Sequence, residues 1–130
     1  MGDYKLDKSY KLCSKKSIDE LFTSGTTVKS YPYIAIIKPL ELASKRSFNI
    51  VFSAPKRTFK KAYQRNRIKR ICKEAVRHNK SILENYLTEN GIQLAVFLVY
   101  SAKEELDHQQ LQKKTTKLFN EITKTLHANQ

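Results

Sequence analysis

Apolar positions along the chain change their spacing several times, and each change marks an element. Ile18, Leu21 and Phe22 recur at i, i+3 and i+4. That spacing predicts a short helix opening at Ser17, whose hydroxyl suits a cap, and stopping at Gly25. Tyr31 to Leu40 is rich in β-branched and aromatic residues, among them Tyr33, Ile34, Ile36 and Ile37, and contains Pro32 and Pro39 near its ends. It predicts a strand, and a short extra strand fits within Thr26–Ser30. Glu41 to Arg46 reads as a turn or hairpin connection. Phe48 to Ala54 reads as the next strand, because Phe48, Ile50 and Phe52 alternate before Pro55 ends the run.

Beyond a basic connection, Lys56–Phe59, the period becomes helical from Lys60 or Lys61 to His78. Ser81–Leu87 reads as a further helical turn, and Asn90 with Gly91 as a turn. Ile92–Tyr100 is the most apolar segment and predicts a strand that is central or covered on both faces. Asp107–Leu126 predicts a last helix with Leu111, Leu118, Phe119, Ile122 and Leu126 as its buried stripe. The order helix, strands, helix, strand, helix predicts an α/β (α+β) two-layer sandwich, a small mixed sheet of about four strands packed with three helices. A chain of 130 residues suits one domain, with a core at about residues 11–126 and flexible ends at 1–10 and 127–130.

Charge changes this picture. Lys and Arg number 25 against 12 acidic residues, a formal net charge of +13. Between Lys56 and Lys80 stand eleven basic residues and one acid, Glu74, so +10 of that charge lies in one-fifth of the chain. A localised excess of this size predicts a polyanionic partner. A membrane is the weaker partner, since the longest apolar run, Leu94–Tyr100, has seven residues and about 20 are needed to span a bilayer. The polar, charged segment Met1–Lys16 does not read as a secretory signal. Cys13 and Cys72 have no metal-ligand spacing and read as reduced thiols of a cytoplasmic protein, Cys72 as a small core residue.

Helical geometry aims the charge. Ile68, Ile71, Cys72, Ala75 and Val76 form one buried stripe. At about 100° per residue, Asn66, Lys69, Arg70, Lys73 and Arg77 point away from it, with Arg67 and Glu74 along one edge and Arg65 along the other. Like charges at this spacing cost roughly 0.2–0.5 kcal/mol per pair, so a partner explains the face better than stability does. Arg can fork two donors to a phosphate or stack on a base. Asn66 can read a base edge or a 2′-hydroxyl. Tyr31, Tyr33, Phe48 and Phe52 could stack on single-stranded bases, although one sheet face must pack against helices and bury some of them. Nothing in the sequence assembles a protein active site: the acids are scattered, and His78, His108 and His127 share no motif.

The run Lys60-Lys61-Ala62-Tyr63-Gln64-Arg65-Asn66-Arg67-Ile68-Lys69-Arg70, continued by Lys73, Glu74, Ala75 and Arg77, resembles the signature of the bacterial ribonuclease P protein family. Leu12, Lys15, Lys16, Ile18, Phe22, Gly25, Thr26 and Val28 match the family's first helix and its exit. The strand Ile92–Tyr100 and the last helix match in order and length, so the likeness covers about Lys11 to Leu126. It implies a ribosomal-protein-like fold with a left-handed strand–helix–strand crossover, a hand that base rates disfavour. It implies an accessory subunit, monomeric in its holoenzyme, that binds a catalytic RNA and the 5′ leader of precursor tRNA. The RNA would supply catalysis and use Mg²⁺; the protein would hold neither catalytic residue nor metal, and would bind no DNA and no membrane.

Carried over by position, the RNA contacts are Arg65, Asn66, Arg67, Lys69, Arg70, Lys73 and Arg77. Arg57, Lys60 and Lys61 extend that set, and Ile18, Phe22, Tyr33 and Ile36 would line the leader cleft. The chain departs from the family at Ile18, where many members have Phe. It departs again at Lys60 and Lys61, where many have Gly-Asn, and Pro55–Phe59 is one residue longer. Other readings are a ribosomal or general RNA-binding protein, a DNA-binding protein using the basic helix in a major groove, and a protein-only nuclease. The DNA reading lacks the second helix and tight turn that should precede a recognition helix.

Overall fold

The computed structural model describes residue 10 and residues 15–42 and 46–128. Leu12, Cys13, most of the two ends and part of the Glu41–Arg46 connection fall outside the described residues. In chain order the elements are α1 (Lys15–Ser24), β1 (Thr26–Ser30), β2 (Tyr33–Pro39), β3 (Phe48–Ser53), α2 (Ala62–Asn90), β4 (Leu94–Tyr100) and α3 (His108–Ala128). Three helices and one four-stranded mixed sheet make an α+β fold, as the hydrophobic pattern predicts. The short strand at Thr26–Ser30 is present as β1.

The sheet order is β1-β2-β4-β3. β2 is antiparallel to both β1 and β4, and β3 is parallel to β4. The connection after β2 is therefore not a hairpin: β4 lies between β2 and β3. The physical reason is that β4 is the most apolar strand and gains most from two strand neighbours and two covered faces. Its Leu94, Ala95, Val96, Leu98 and Tyr100 are all buried.

Period two divides the sheet cleanly. Tyr33, Ala35 and Ile37 of β2, Phe48 and Ile50 of β3, and Leu94, Val96, Leu98 and Tyr100 of β4 join the main core under α2 and α3. Ile36, Val51, Ala95 and Phe97 face the other way, where α1 covers part of the sheet with Ile18 and Leu21. The first helix begins two residues before Ser17, so that serine lies inside it and does not cap it. Gly25 ends it for a steric reason. A Cβ there would collide with the Leu21 carbonyl oxygen and would lie 2.7 Å from Ile36 Cγ2.

The sequence predicts a helix to His78 and a separate turn at Ser81–Leu87; the structure has one helix of 29 residues. No Pro or Gly interrupts it, and the buried stripe continues through Lys80, Leu83 and Leu87. Lys80 looks like a break in that stripe but is only 5% exposed. Its ammonium lies 4.9 Å from the centroid of the Tyr10 ring and donates to the Tyr10 hydroxyl, which donates to Glu84 at 2.7 Å. Arg46 covers the same ring at 4.4 Å. Gly91 then stops the helix in the left-handed region, φ 63°, with the Gly91 and Ile92 N–H groups closing on the Thr88 and Leu87 carbonyls.

α3 starts with a reciprocal cap: Asp107 Oδ1 accepts the Gln110 N–H at 2.8 Å while Gln110 Oε1 accepts the Asp107 N–H. Asn79 stitches α2 to α3, donating to the Gln112 carbonyl and accepting from Thr116 at 2.7 Å.

Candidate nucleic-acid interface

The outward face of α2 exposes Asn66, Lys69, Arg70 and Lys73, as its periodicity predicts; Arg67, expected at the edge of that face, is exposed as well, whereas Arg77, expected on it, is half-buried. The residues of the motif are not equivalent. Lys69, Arg70 and Lys73 extend into solvent with no ion pair among the described residues. Arg65 is half-buried, and its Nη1 donates to the Phe59 carbonyl at 2.8 Å and the Lys60 carbonyl at 2.9 Å. It thereby fastens the Pro55–Lys61 connection, whose Phe59 is buried against Tyr100, and holds Arg57, Lys60 and Lys61 out on an exposed loop. Arg77 is half-buried and pairs with Glu74 at 2.8 Å, which keeps the Glu74 carboxyl below the usual carboxylate range.

Arg67 forms a two-pronged ion pair with Glu105, Nε to Oε1 at 2.8 Å and Nη2 to Oε2 at 2.5 Å. Glu105 belongs to the connection between β4 and α3. The Tyr100 hydroxyl shapes that connection by donating to the Glu104 carbonyl and accepting the Leu106 N–H. The guanidinium holds the Glu105 carboxyl below its ordinary range. This acid is 38 positions from Arg67 in sequence, and no local pattern announces it. Tyr63, on the first turn of α2, is 59% exposed, with Lys61 Nζ and Arg67 Cζ each 5.9 Å from its ring centroid.

The second feature is the sheet face that α1 leaves partly open. Ile36, Phe97 and Val51 lie side by side across β2, β4 and β3. Phe22 projects over them from α1, 58% exposed, its ring meeting Phe97 edge-on at 4.9 Å. Ile18 packs into the same cluster. Phe22, Ile36 and Ile18 are thus together, as expected.

Tyr33 is not with them, and this is a correction. It is 1% exposed, and its hydroxyl meets Thr115 at 2.9 Å in the main core. Thr115 donates its own proton to the Leu111 carbonyl, so Tyr33 is the donor. An odd position on β2 faces α3, the opposite side from Ile36. The aromatic that floors this face is Phe97, which sequence patterning misses because β4 is apolar at every position and shows no alternation. Of the other strand aromatics, Phe48 is core, Phe52 packs half-buried against the core, and Tyr31 is exposed in the β1–β2 turn.

Cys72 is a buried thiol whose pKa burial pushes up to about 12, the ionisation behaviour of a core residue and not of a nucleophile. The His78 and His108 rings meet edge-on at 6.0 Å. Among the described residues no group of three or more His, Cys, Asp or Glu is placed to hold a metal ion, and no helix is long and apolar enough to cross a membrane.

Comparison with known proteins gives the chain a family and a fold. The family model for ribonuclease P matches residues 6–123. A protein of Porphyromonas gingivalis named ribonuclease P protein component is 32% identical over 98 residues, spanning 74% of this chain and 71% of that one. One of the same name from Pseudoalteromonas translucida is 28% identical over 122 residues, spanning 94% and 80%. Among solved structures, the RNase P protein of Staphylococcus aureus superposes with a TM-score of 0.65 at 18% identity, covering 87% of this chain and 94% of that one. That of Thermotoga maritima superposes with a TM-score of 0.66 at 16% identity, covering 84% and 94%. These two likenesses establish a shared fold.

Proposed function

The chain belongs to the ribonuclease P protein family, and from that premise we propose that it binds the catalytic RNA subunit through the outer face of α2 and the 5′ leader of precursor tRNA through the open sheet face. The observation that carries this reading is the pairing of two unlike surfaces on one small fold. One is a rigid cationic face without paired acids at Lys69, Arg70 and Lys73; the other is an apolar face bearing the exposed Phe22 beside Phe97. The first suits phosphates, the second the flat faces of unpaired bases. In this reading Lys69, Arg70 and Lys73 neutralise phosphates, Asn66 reads a base edge or 2′-hydroxyl, and Arg65 holds the basic loop in register. Phe22 stacks on a leader base above Ile36 and Phe97, with Ile18 as a wall.

The chain's role is to position RNA. The RNA subunit supplies the hydrolytic chemistry with its Mg²⁺ ions, in the cytoplasm, and the product is the mature 5′ end of tRNA. The test is reconstitution: the chain is added to a bacterial ribonuclease P RNA and a precursor tRNA at low Mg²⁺. Stimulated leader removal is expected, whereas an unchanged cleavage rate would overturn the assignment.

A further inference from the structure

Tyr63, Phe22 and Tyr31 are the large hydrophobic side chains exposed among the described residues. Phe22 belongs to the open sheet face and Tyr31 to a turn, but Tyr63 stands among cations at the head of α2. A single exposed aromatic is ordinary. Its surroundings are not. Lys61 and Arg67 flank the ring at 5.9 Å each, and Arg67 is held by Glu105 through Nε and Nη2.

That ion pair changes what Arg67 can do. The fork it would offer to a phosphate is already closed on a carboxylate, and the carboxylate's own charge repels phosphate from the spot. The flat faces of the guanidinium remain, and they stack on aromatic rings. Two to three residues further along, Lys69 and Arg70 have no such acid beside them. The head of the helix is therefore built for a flat, neutral group, and the stretch after it for phosphates.

We propose that Tyr63, with the Glu105-held Arg67 and with Lys61, forms a stacking site for an unpaired nucleobase of the RNA that the α2 face binds. The ligand is a single-stranded or bulged nucleotide, because a base within a duplex presents no open face. Stacking on Tyr63 supplies the contact, and Lys61 meets the phosphate of the same or the neighbouring nucleotide. The inference rests on the RNA-binding reading above and adds a site distinct from the leader-binding sheet face.

The experiment measures binding of the full chain to ribonuclease P RNA across a salt series for the wild type, Tyr63→Ala, Tyr63→Phe and Tyr63→Trp. Tyr63→Ala is expected to weaken binding on the order of tenfold, with the slope of log affinity against log salt unchanged. Tyr63→Phe should bind like the wild type. The chain has no tryptophan, so Tyr63→Trp introduces a single indole, excited selectively at wavelengths where tyrosine does not absorb, whose emission should be quenched by RNA. The thermal midpoint of Tyr63→Ala alone, without RNA, should match the wild type, because the ring is exposed.

A wild type that binds RNA while Tyr63→Ala binds equally well overturns this inference and leaves the functional reading standing. So does weaker binding by Tyr63→Ala together with a flatter salt slope, since a flatter slope means that fewer phosphates are neutralised. A wild type that does not bind RNA overturns the functional reading, and the inference falls with it.

Discussion

Arg65 directs Nη1 at the Phe59 and Lys60 carbonyls, Arg67 grips Glu105, and Arg70 reaches solvent. One residue type thus does three things within two helical turns, and the differences are measurable. Arg70→Ala should flatten the salt dependence of RNA binding by about one unit of slope, as expected when one fewer phosphate is neutralised. Glu105→Gln should do the reverse, steepening the slope by up to about one as the Arg67 charge becomes available to phosphate; an unchanged slope would mean that the side chain at 105 still shields Arg67 without its charge. Cys72 gives a prediction in pH. Its thiol ionises at 9.0 ordinarily and at about 12 in the fold. The folded state therefore keeps a proton that the unfolded state releases, so this contribution is complete below pH 9 and is lost as pH rises toward 12. Urea unfolding across that range should show falling stability, with a shallower fall in Cys72→Ala. Tyr33, raised in the same direction by burial, keeps the fall from vanishing.

At the scale of elements, α2 combines two functions along its length. Its first half presents charge, and its second half is a structural strut whose one buried cation, Lys80, holds Tyr10 and through it Glu84. Lys80→Ala is expected to cost about 1–3 kcal/mol of stability, because the Tyr10 hydroxyl loses its buried donor, and to leave the salt slope of RNA binding unchanged. Lys73→Ala should do the opposite. Equilibrium denaturation and the salt series together separate the two. The junction of α1 and β1 is equally specific. Gly25→Ala should destabilise by roughly 1–3 kcal/mol through overpacking against the Leu21 carbonyl and Ile36, and it should loosen the seat of α1 on the sheet, which positions Phe22.

At the scale of the whole molecule, the sheet separates two jobs. One face is closed by α2 and α3 into the main core, and the other is left partly open under α1. Phe22→Ala should leave stability almost unchanged, given its exposure, and should weaken binding of precursor tRNA to the holoenzyme more than binding of mature tRNA. Equal weakening of both would move the leader elsewhere on the surface. α2 returns the chain from β3 to the parallel β4, so the cationic face and the open sheet face belong to consecutive elements of one rigid unit.

Much of this was legible in one dimension because the forces involved are periodic. The stripe Ile68, Cys72, Ala75 and Val76 requires a helix with one face buried, and the cations between its members then have no direction to point but outward. The motif around Arg65, Asn66 and Arg67 carried the family. The family resemblance grouped Phe22 with Ile36, and the fold brings both to the sheet face under α1. The rest depended on which strands became neighbours. β4 inserts between β2 and β3 because it is the most apolar, and that pairing, invisible to any local window, aligns Phe97 with Ile36 and Val51 and turns Tyr33 into the core. Glu105 reaches Arg67 across 38 positions only because the end of β4 is carried to the head of α2. Charge and periodicity say which residues meet solvent; which of those cations already has a partner is decided by chain segments that meet only when the sheet closes.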